Sequence, residues 1–269
     1  MGVRYKETVK DRSLLTAPPF YQTFFMEANL NTSLTLTRNS DLLASRQAVS
    51  PALQQLSVEA LLKIRPPRPR CYYLGAEFNQ TEGLIPVICS ASRSPIVLAT
   101  AEYDGADNLS PIAKTAAITA SKLDDNRMAV LVVTPSPESW MYTISHQNIL
   151  LPVQFHQLLP RLQAWQPEGE GHGLIVIDDI RPEWGITPEI LLALAVNPGI
   201  SLFITTFPEY AASLAHNIQS ARIVIGNLTR KHAECVLGST PLLEQRLSSG
   251  QFAVRHQSQW LIFSTATQL

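Results

Sequence analysis

Residues 173–184, GLIVIDDIRPEW, constrain the fold more than any other part of this 269-residue chain. Four apolar residues, Leu174 to Ile177, run directly into Asp178 and Asp179. An uninterrupted apolar run of this kind is typical of a strand buried on both faces of a parallel sheet. Such a strand carries the residues that follow it to the carboxyl edge of the sheet, where α/β proteins bind ligands. We therefore predict an α/β fold and take Asp178 and Asp179 as candidate catalytic or magnesium-binding carboxylates.

The chain beyond residue 70 alternates short apolar runs with helical stretches, which indicates a mostly parallel sheet flanked by helices. We predict strands at 71–74, 85–89, 95–100, 128–134, 173–177, 200–205 and 222–225, and a closing hairpin of 252–256 and 260–264. Ser or Thr followed by Pro is typical of a helix start. We predict helices from Ser110 to Leu123, from Thr187, from Thr229 to Leu237, and from Thr240 to near Gly250.

The first 70 residues differ in pattern from the rest of the chain. Leucines and Val58 recur at helical spacing over residues 51–64, with Ser57 as a candidate cap. The following segment, Arg65-Pro-Pro-Arg-Pro-Arg70, cannot continue a helix and indicates a linker. We predict an N-terminal extension and a Pro/Arg-rich linker at 1–70, and one main domain at 71–269.

Composition excludes several classes of function. The formal net charge is −1, which gives no positive field for nucleic acid. No run approaches the roughly 20 apolar residues of a membrane helix, so we expect a cytoplasmic chain that meets a membrane only through a larger complex. The six histidines form no zinc motif, and we expect no metal site. The three cysteines, Cys71, Cys89 and Cys235, are widely spaced and are expected to be buried, reduced thiols.

The loop after the strand at 95–100 lacks the residues of a phosphate-binding loop. That loop follows the pattern G-x-x-x-x-G-K-[ST], in which glycines and a lysine surround the phosphates and a hydroxyl binds magnesium. Aligned on the strand end, Thr100 replaces the first glycine, Gly105 keeps the second, Ala106 replaces the lysine and Asp107 the hydroxyl. Glu102 adds a further negative charge. We expect no cofactor, and no tight binding of ATP with Mg²⁺ in the usual pose.

Several residues near this edge have alternative interpretations. Lys114-Thr115 resembles the end of the motif, but it would fall a turn inside the helix that starts at Ser110, where an exposed helix lysine is the favoured interpretation. Asp178 and Asp179 are either a working site or a remnant that caps groups at the strand end. Thr205 and Thr206 end the next strand and could orient a phosphate or a water.

A tryptophan also lies next to this edge. Trp184 follows the Asp pair closely in the sequence and is a candidate contact for a partner.

The order of these elements resembles the RecA-like P-loop core of FtsK/SpoIIIE-type motor ATPases. The resemblance rests on YYLG at 72–75, PIVLAT at 95–100, AVLVVTP at 129–135, LIVIDD at 174–179, GISLFITT at 199–206, ARIVIG at 221–226 and SGQF at 249–252 before the hairpin. It is nearest to the later, often degenerate ATPase domains of type VII secretion motors of the EccC/EssC kind. The resemblance implies neighbouring ATPase domains or subunits and a secreted protein substrate as partners.

Within the resemblance, Gly105 matches a loop glycine and Asp178 the acidic residue at the strand end. Asp179 stands in place of the usual glutamate, while Ala106 and Asp107 depart from the loop motif. The leading hypothesis is an ATPase-like module that has lost turnover and acts in docking, assembly or regulation. One alternative is an active ATPase that uses Asp178 and Asp179 with unconventional nucleotide binding. Another is an accessory domain of a DNA translocase, which would show salt-sensitive DNA affinity.

Overall fold

The computed structural model describes most of the chain after residue 55. The described residues are 56–64, 70–79, 83–91, 93–102, 109–123, 128–152, 155–167, 171–238, 247, 250–256 and 259–266. By packing, the chain divides into two units, Met1–Gln47 and Ala48–Leu269, and every described residue belongs to the second. The predicted helix from Thr240 lies outside the described residues.

The described elements alternate strands and helices, as the sequence pattern predicts. In chain order they are α1 Val58–Leu62, β1 Cys71–Asn79, β2 Gly83–Ser90, β3 Ile96–Thr100, α2 Ser110–Lys122, β4 Ala129–Val133, β5 Ile149–Leu150, α3 Phe155–Ala164, β6 Gly173–Ile177, α4 Pro188–Ala195, β7 Ile200–Thr206, α5 Pro208–Asn217, β8 Arg222–Ile225, α6 Arg230–Leu237, β9 Gln251–His256 and β10 Gln259–Ser264. Three single 3-10 turns, Pro137–Ser139, His146–Asn148 and Pro182–Trp184, lie between them.

The described strands form one mixed sheet in the order β2-β1-β10-β9-β8-β3-β7-β6-β4-β5. The strands from β8 to β5 are parallel, and the C-terminal hairpin and the β1–β2 hairpin join them antiparallel. The predicted α/β class, with a mostly parallel sheet, flanking helices and a closing hairpin, is confirmed. Because β3 pairs with β7 from Ile96↔Leu202 to Thr100↔Thr206, these strands end side by side.

Both faces of the parallel strands are buried, which explains their uninterrupted apolar sequences. Ile175 and Ile177 point into one core, which helices α3, α4, α5 and α6 complete. Leu174 and Val176 point into the other, which α2 covers. Each fully buried aliphatic side chain stabilises the fold by about 1.5–3 kcal/mol relative to exposure. These two cores hold the carboxyl ends of β3, β4, β6 and β7 at one edge.

The described residues just before the predicted linker pack against β1. Ser57 caps α1, as predicted, by accepting a hydrogen bond from the Ala60 N–H at 3.2 Å. Leu56 and Leu61 are buried in a third apolar cluster that also contains Tyr73. No helix among the described residues is long and apolar enough to cross a membrane.

Candidate functional site

A cavity of about 340 Å³ opens at the carboxyl edge of the sheet. The ends of β3, β4, β6 and β7 and the start of α2 form its walls, which is where α/β sheets bind ligands. Among the described residues that line it, four are carboxylates and one is an ammonium: Glu102, Glu138, Asp178, Asp179 and Lys114. The structure thus brings both predicted carboxylates into a cavity.

Hydrogen bonds from neutral side chains hold the Asp178 carboxylate. The Trp140 indole N–H donates to Oδ2 at 2.9 Å, and the Thr205 hydroxyl donates to Oδ1 at 2.9 Å. The Thr134 hydroxyl donates to Oδ2 at 3.3 Å. A carboxylate offers about four acceptor positions, so these donors occupy most of the Asp178 side chain.

Asp178 is only 8% exposed, and its surroundings change its acidity. Burial raises the pKa of the Asp178 carboxyl above its ordinary value, and the hydrogen bonds from Trp140 and Thr205 oppose that rise. The negative charge of Asp179 adds to the rise. The carboxylate is therefore held by dipoles rather than by a neighbouring cation.

Asp179 has a different environment from Asp178. Its φ is 57°, in the left-handed region that non-glycine residues rarely occupy. Its backbone N–H donates to the Thr205 hydroxyl at 2.8 Å, and its Oδ2 accepts from the Arg181 Nη2–H at 2.8 Å. Arg181 is the half-exposed member of this ion pair, so Asp179 is already neutralised within its own chain segment.

The predicted threonines lie at the same edge but are engaged internally. Thr205 joins the Asp178 side chain to the Asp179 backbone, as described above. The Thr206 hydroxyl donates to the Ile180 carbonyl at 2.7 Å. Thr100 is fully buried, and its hydroxyl has no hydrogen-bond partner within the part of the chain that the structure describes.

The predicted loop positions Gly105, Ala106 and Asp107 lie outside the described residues, so their comparison with a phosphate loop stays a prediction. The helix that follows, α2, begins at Ser110 as expected, with Pro111 in its first turn. Pro111 has no N–H, so this helix end offers one donor fewer to an anion. Lys114 lies a turn inside α2, as predicted. However, it is half-buried rather than exposed, and its Nζ lies 5.9 Å from the centroid of the Trp140 ring.

Glu102 connects the cavity to helices α5 and α6. Its Oε1 lies 3.0 Å from Nδ1 of His232 and also accepts from the backbone N–H of Thr229, the N-cap of α6. Nε2 of the same imidazole lies 3.1 Å from Oε1 of Glu209 on α5. Burial raises the pKa of the Glu102 carboxyl, but the hydrogen bonds from Thr229 and His232 outweigh it and leave that pKa below its ordinary value.

Sequence reasoning missed Trp140 and Thr134 as partners of Asp178. Thr134 directly follows β4, and Thr205 is the second-last residue of β7, so a hydroxyl near the end of each strand beside β6 was a usable signal. Trp140 gave no such signal, because it lies 38 residues from Asp178 in a loop and reaches the carboxylate only through the fold.

The remaining predicted residues can be placed individually. Trp184 is half-buried and packs against the apolar core, which neither supports nor opposes a contact with a partner. Cys71 and Cys89 are buried thiols, as expected, whereas the expectation for Cys235 is wrong because it is exposed on α6. Over the described ranges, no group of three or more His, Cys, Asp or Glu residues could hold a metal ion.

The fold of the described chain, with its site at the carboxyl edge of the sheet, matches that of solved secretion and conjugation ATPase structures. Three solved structures are similar in fold. ATPases 2 and 3 of EccC from Thermomonospora curvata, in complex with a signal sequence peptide, match with a TM-score of 0.57 and 13% identity over 80% of this chain and 43% of that chain. The cytoplasmic domain of EssC matches with a TM-score of 0.56 and 11% identity over 80% of this chain and 47% of that one. The pCW3 conjugation coupling protein TcpA, in its monomer form with ATPγS, matches with a TM-score of 0.51 and 14% identity. The match covers 79% of this chain and 69% of that one.

These similarities establish the fold, which confirms the predicted resemblance at that level. The chain spans less than half the length of the two secretion ATPase structures. No family model matches the chain, and no curated protein matches it.

Proposed function

We propose that this chain is an ATPase-like module of an FtsK/SpoIIIE-type protein secretion motor that does not hydrolyse ATP and acts in docking, assembly or regulation. The observation that carries the proposal is the environment of Asp178. A magnesium-binding carboxylate needs free acceptor positions for the ion or its waters. At Asp178, Trp140, Thr205 and Thr134 already fill most of them. In this proposal Asp178 and Asp179 are remnants that now organise the edge of the sheet.

The charges around the cavity support the same interpretation. Glu102 and Asp179 are paired with His232 and Arg181, which leaves Asp178, Glu138 and Lys114 as the remaining charges of the described lining. A triphosphate carries several negative charges and requires more cationic or N–H donors than one lysine supplies. Like charges at close range cost several kcal/mol unless a metal bridges them. The described residues therefore fit ATP with Mg²⁺ poorly.

The solved structures with this fold supply the context of the proposal. One contains ATPases 2 and 3 of EccC with a signal sequence peptide, and another is the cytoplasmic domain of EssC. By analogy, we infer that the partners of this chain are neighbouring ATPase domains or subunits and a secreted protein, and that it works on the cytoplasmic side of a membrane. Trp184 remains a candidate contact for such a partner, and Thr100, Gly105, Ala106 and Asp107 mark the former nucleotide loop.

Calorimetric titration of the full chain with ATP and Mg²⁺, combined with a phosphate-release assay, tests the proposal. We expect no binding heat up to about 1 mM nucleotide, which corresponds to less than about 4 kcal/mol of binding free energy, and no phosphate release above buffer. Micromolar binding with release that Asp178→Asn abolishes would overturn the proposal. The Asp178→Asn protein therefore serves as the control for a contaminating ATPase.

Lys114 supports a second candidate, an active ATPase that grips nucleotide unconventionally. It is half-buried, lines the cavity and lies over the Trp140 ring, so its ammonium faces the edge where phosphates would bind. In this case Lys114→Ala should weaken ATP binding at least tenfold and Asp179→Asn should abolish turnover. Unchanged binding and turnover in both variants would reject the second candidate.

A further inference from the structure

A second cavity, of about 490 Å³, lies along the outer edge of β4 near the start of that strand. Its wall includes residues 128–130 and 143–145, Gln147, Asn148, and the pair Trp165 and Gln166. The first cavity, called the acidic cavity below because four carboxylates line it, lies at the other end of β4. The strand of five residues, at about 3.3 Å per residue, separates the two cavities by about 16 Å. The two cavities are therefore separate sites.

The backbone of β4 is only partly paired along this edge. β5 pairs with β4 only through Val132↔Ile149 and Val133↔Leu150. The Ala129 N–H donates to the His172 carbonyl at 3.0 Å, on the β6 side. Backbone groups of successive residues in a strand alternate in direction, so Val130 directs its N–H and C=O away from β6, towards the cavity that it lines. Within the described ranges, no strand pairs with Val130 on that side.

The described residues that line the cavity are uncharged. They combine the amides of Gln147, Asn148 and Gln166 with hydroxyls and with the apolar surfaces of Met128 and Trp165. Against these described residues, a charged group would lose hydration without gaining an opposite charge, which is costly. A ligand that presents N–H and C=O groups and neutral side chains matches this lining.

Trp165 gives the cavity a fixed apolar wall. Its ring packs so closely on Gly173 at the start of β6 that a Cβ at Gly173 would overlap with it. A fixed aromatic face beside a strand edge that is unpaired at Val130 suits an extended peptide, whose backbone pairs with the strand while one side chain contacts the ring. The opposite edge of the sheet is a weaker template, because β2 contains Pro86, which has no N–H to offer.

We propose that this cavity binds an uncharged, extended segment of a partner polypeptide, which adds a short strand to β4 beside Val130. Backbone hydrogen bonds to Val130 supply part of the affinity, and contact with Trp165 favours an apolar side chain at one position. The site is independent of the acidic cavity and of whether that cavity binds nucleotide.

Titration of the full chain with a capped synthetic peptide of alternating valine and threonine tests the proposal by backbone amide NMR. We expect saturable shifts at the Val130 and Asn148 amides and at the Trp165 indole N–H. Methylating alternate backbone nitrogens of the peptide should lower the affinity at least tenfold, because each N-methyl removes a donor. Replacing the threonines of the peptide with lysines should also weaken binding.

Gln147→Trp should lower the affinity at least tenfold, because this exposed lining residue would fill the cavity. His146→Trp is the matched control, since His146 is its exposed neighbour and does not line the cavity. Both variants should keep the wild-type melting temperature. The proposal is overturned if the peptide does not bind up to about 1 mM, if the N-methylated peptide binds equally well, or if both variants bind alike.

Discussion

At the scale of single residues, Asp178 shows how one buried carboxylate can organise a loop. Its partners come from the end of β4, the loop after β4 and the end of β7. Since Thr205 also accepts from the Asp179 backbone, the hydrogen bonds join three chain segments at one point. We expect the Asp178 side chain to hold these segments together, whether or not it has a catalytic role.

Asp178→Ala should therefore reduce the free energy of unfolding by about 2–3 kcal/mol, because it leaves the buried Trp140 N–H and the Thr205 hydroxyl without an acceptor. Urea denaturation followed by tryptophan fluorescence measures the change. Asp179→Ala is the matched comparison, and it should cost less than about 1 kcal/mol because its pair with Arg181 is partly exposed. Equal losses in the two variants would contradict the structural role of Asp178.

His172 should make the stability of the chain depend on pH. It is only 4% exposed, and neither ring nitrogen has a hydrogen-bond partner among the described residues. Burial, with a smaller contribution from the positive charge of Arg70, lowers the pKa of the His172 imidazole. Below about pH 6.5 the unfolded chain then binds a proton that the folded chain resists, so stability is full above that pH and falls as the pH decreases.

Urea unfolding at pH 7.5 and 5.5 measures this dependence. The loss from His172 is at most about 1.4 kcal/mol for each pH unit below the unfolded pKa. His172→Phe should flatten the profile in this window, whereas His216→Phe, at an exposed position on α5, should leave the wild-type slope. If the slope persists in the His172 variant, other groups cause it.

At the scale of secondary structure elements, the buried strands were the most predictable part of the chain. The predicted bounds of β6 and β8 agree with the structure, because each is a short apolar run between clear interruptions. β1 and β2 extend beyond their predicted bounds, since the added stretches contain Gly75 and Gly83, which interrupt the apolar pattern. The carboxyl edge followed from the strand direction alone, which is why both Asp178 and Thr205 were expected at strand ends along it.

Three elements were not predicted from the sequence, and each omission has a physical reason. α3 contains Pro160 in its interior, which argues against a helix on local grounds, although the packing of Leu158 and Leu162 stabilises it. α5 starts with Pro208 directly after β7 and was not predicted, because its N-cap is Phe207 rather than a serine or threonine. β5 is only two residues long and exists through its pairing with β4. In the site, the contact of Trp140 with Asp178 depends on tertiary structure and has no local signal.

Glu102 should control how α6 docks beside the acidic cavity. It accepts from the Thr229 N–H at the start of α6, and His232 lies between Glu102 and Glu209. Glu102→Gln should raise hydrogen exchange in Arg230–Leu237 at least threefold, since the amide is a weaker acceptor than a carboxylate for both donors. Exchange in β6 should not change.

The comparison for this experiment is Glu234→Gln on the same helix. Glu234 forms an exposed pair with Arg230 one turn away, which contributes little. If Glu102→Gln and Glu234→Gln alter α6 to the same extent, the connection through His232 does not determine how the helix docks.

At the scale of the whole molecule, the two cavities differ in the charge of their described linings, and therefore in the ligands that they favour. The acidic cavity at the carboxyl edge contains paired carboxylates, whereas the described lining of the cavity beside β4 is uncharged. The chain as a whole is nearly neutral. In the proposed binding of a peptide beside β4, recognition therefore depends on local shape and hydrogen bonding rather than on a long-range field.

The start of the folded domain is the remaining question at this scale, because the sequence pattern predicts a boundary at residue 70. Leu56, Val58 and Leu61 are at most 3% exposed, and the Tyr73 hydroxyl donates to the Ile64 carbonyl at 2.7 Å. A fragment of residues 71–269 should thus be less stable than one of residues 48–269 by about 5 kcal/mol. Each of the three lost side chains contributes about 1.5–3 kcal/mol, and residual burial in the unfolded chain reduces their sum. Urea unfolding of the two fragments measures the difference.

Leu61→Ala in the full chain tests the same packing where the shorter fragment does not fold. It should cost about 2–5 kcal/mol, the usual range for a buried leucine truncated to alanine. Leu62→Ala, at the neighbouring half-buried position, should cost clearly less. Equal stability of the two fragments, together with a negligible effect of Leu61→Ala, would place the boundary at residue 70. A large effect in both experiments would instead make α1 part of the folded domain, because the buried face of β1 would then depend on it.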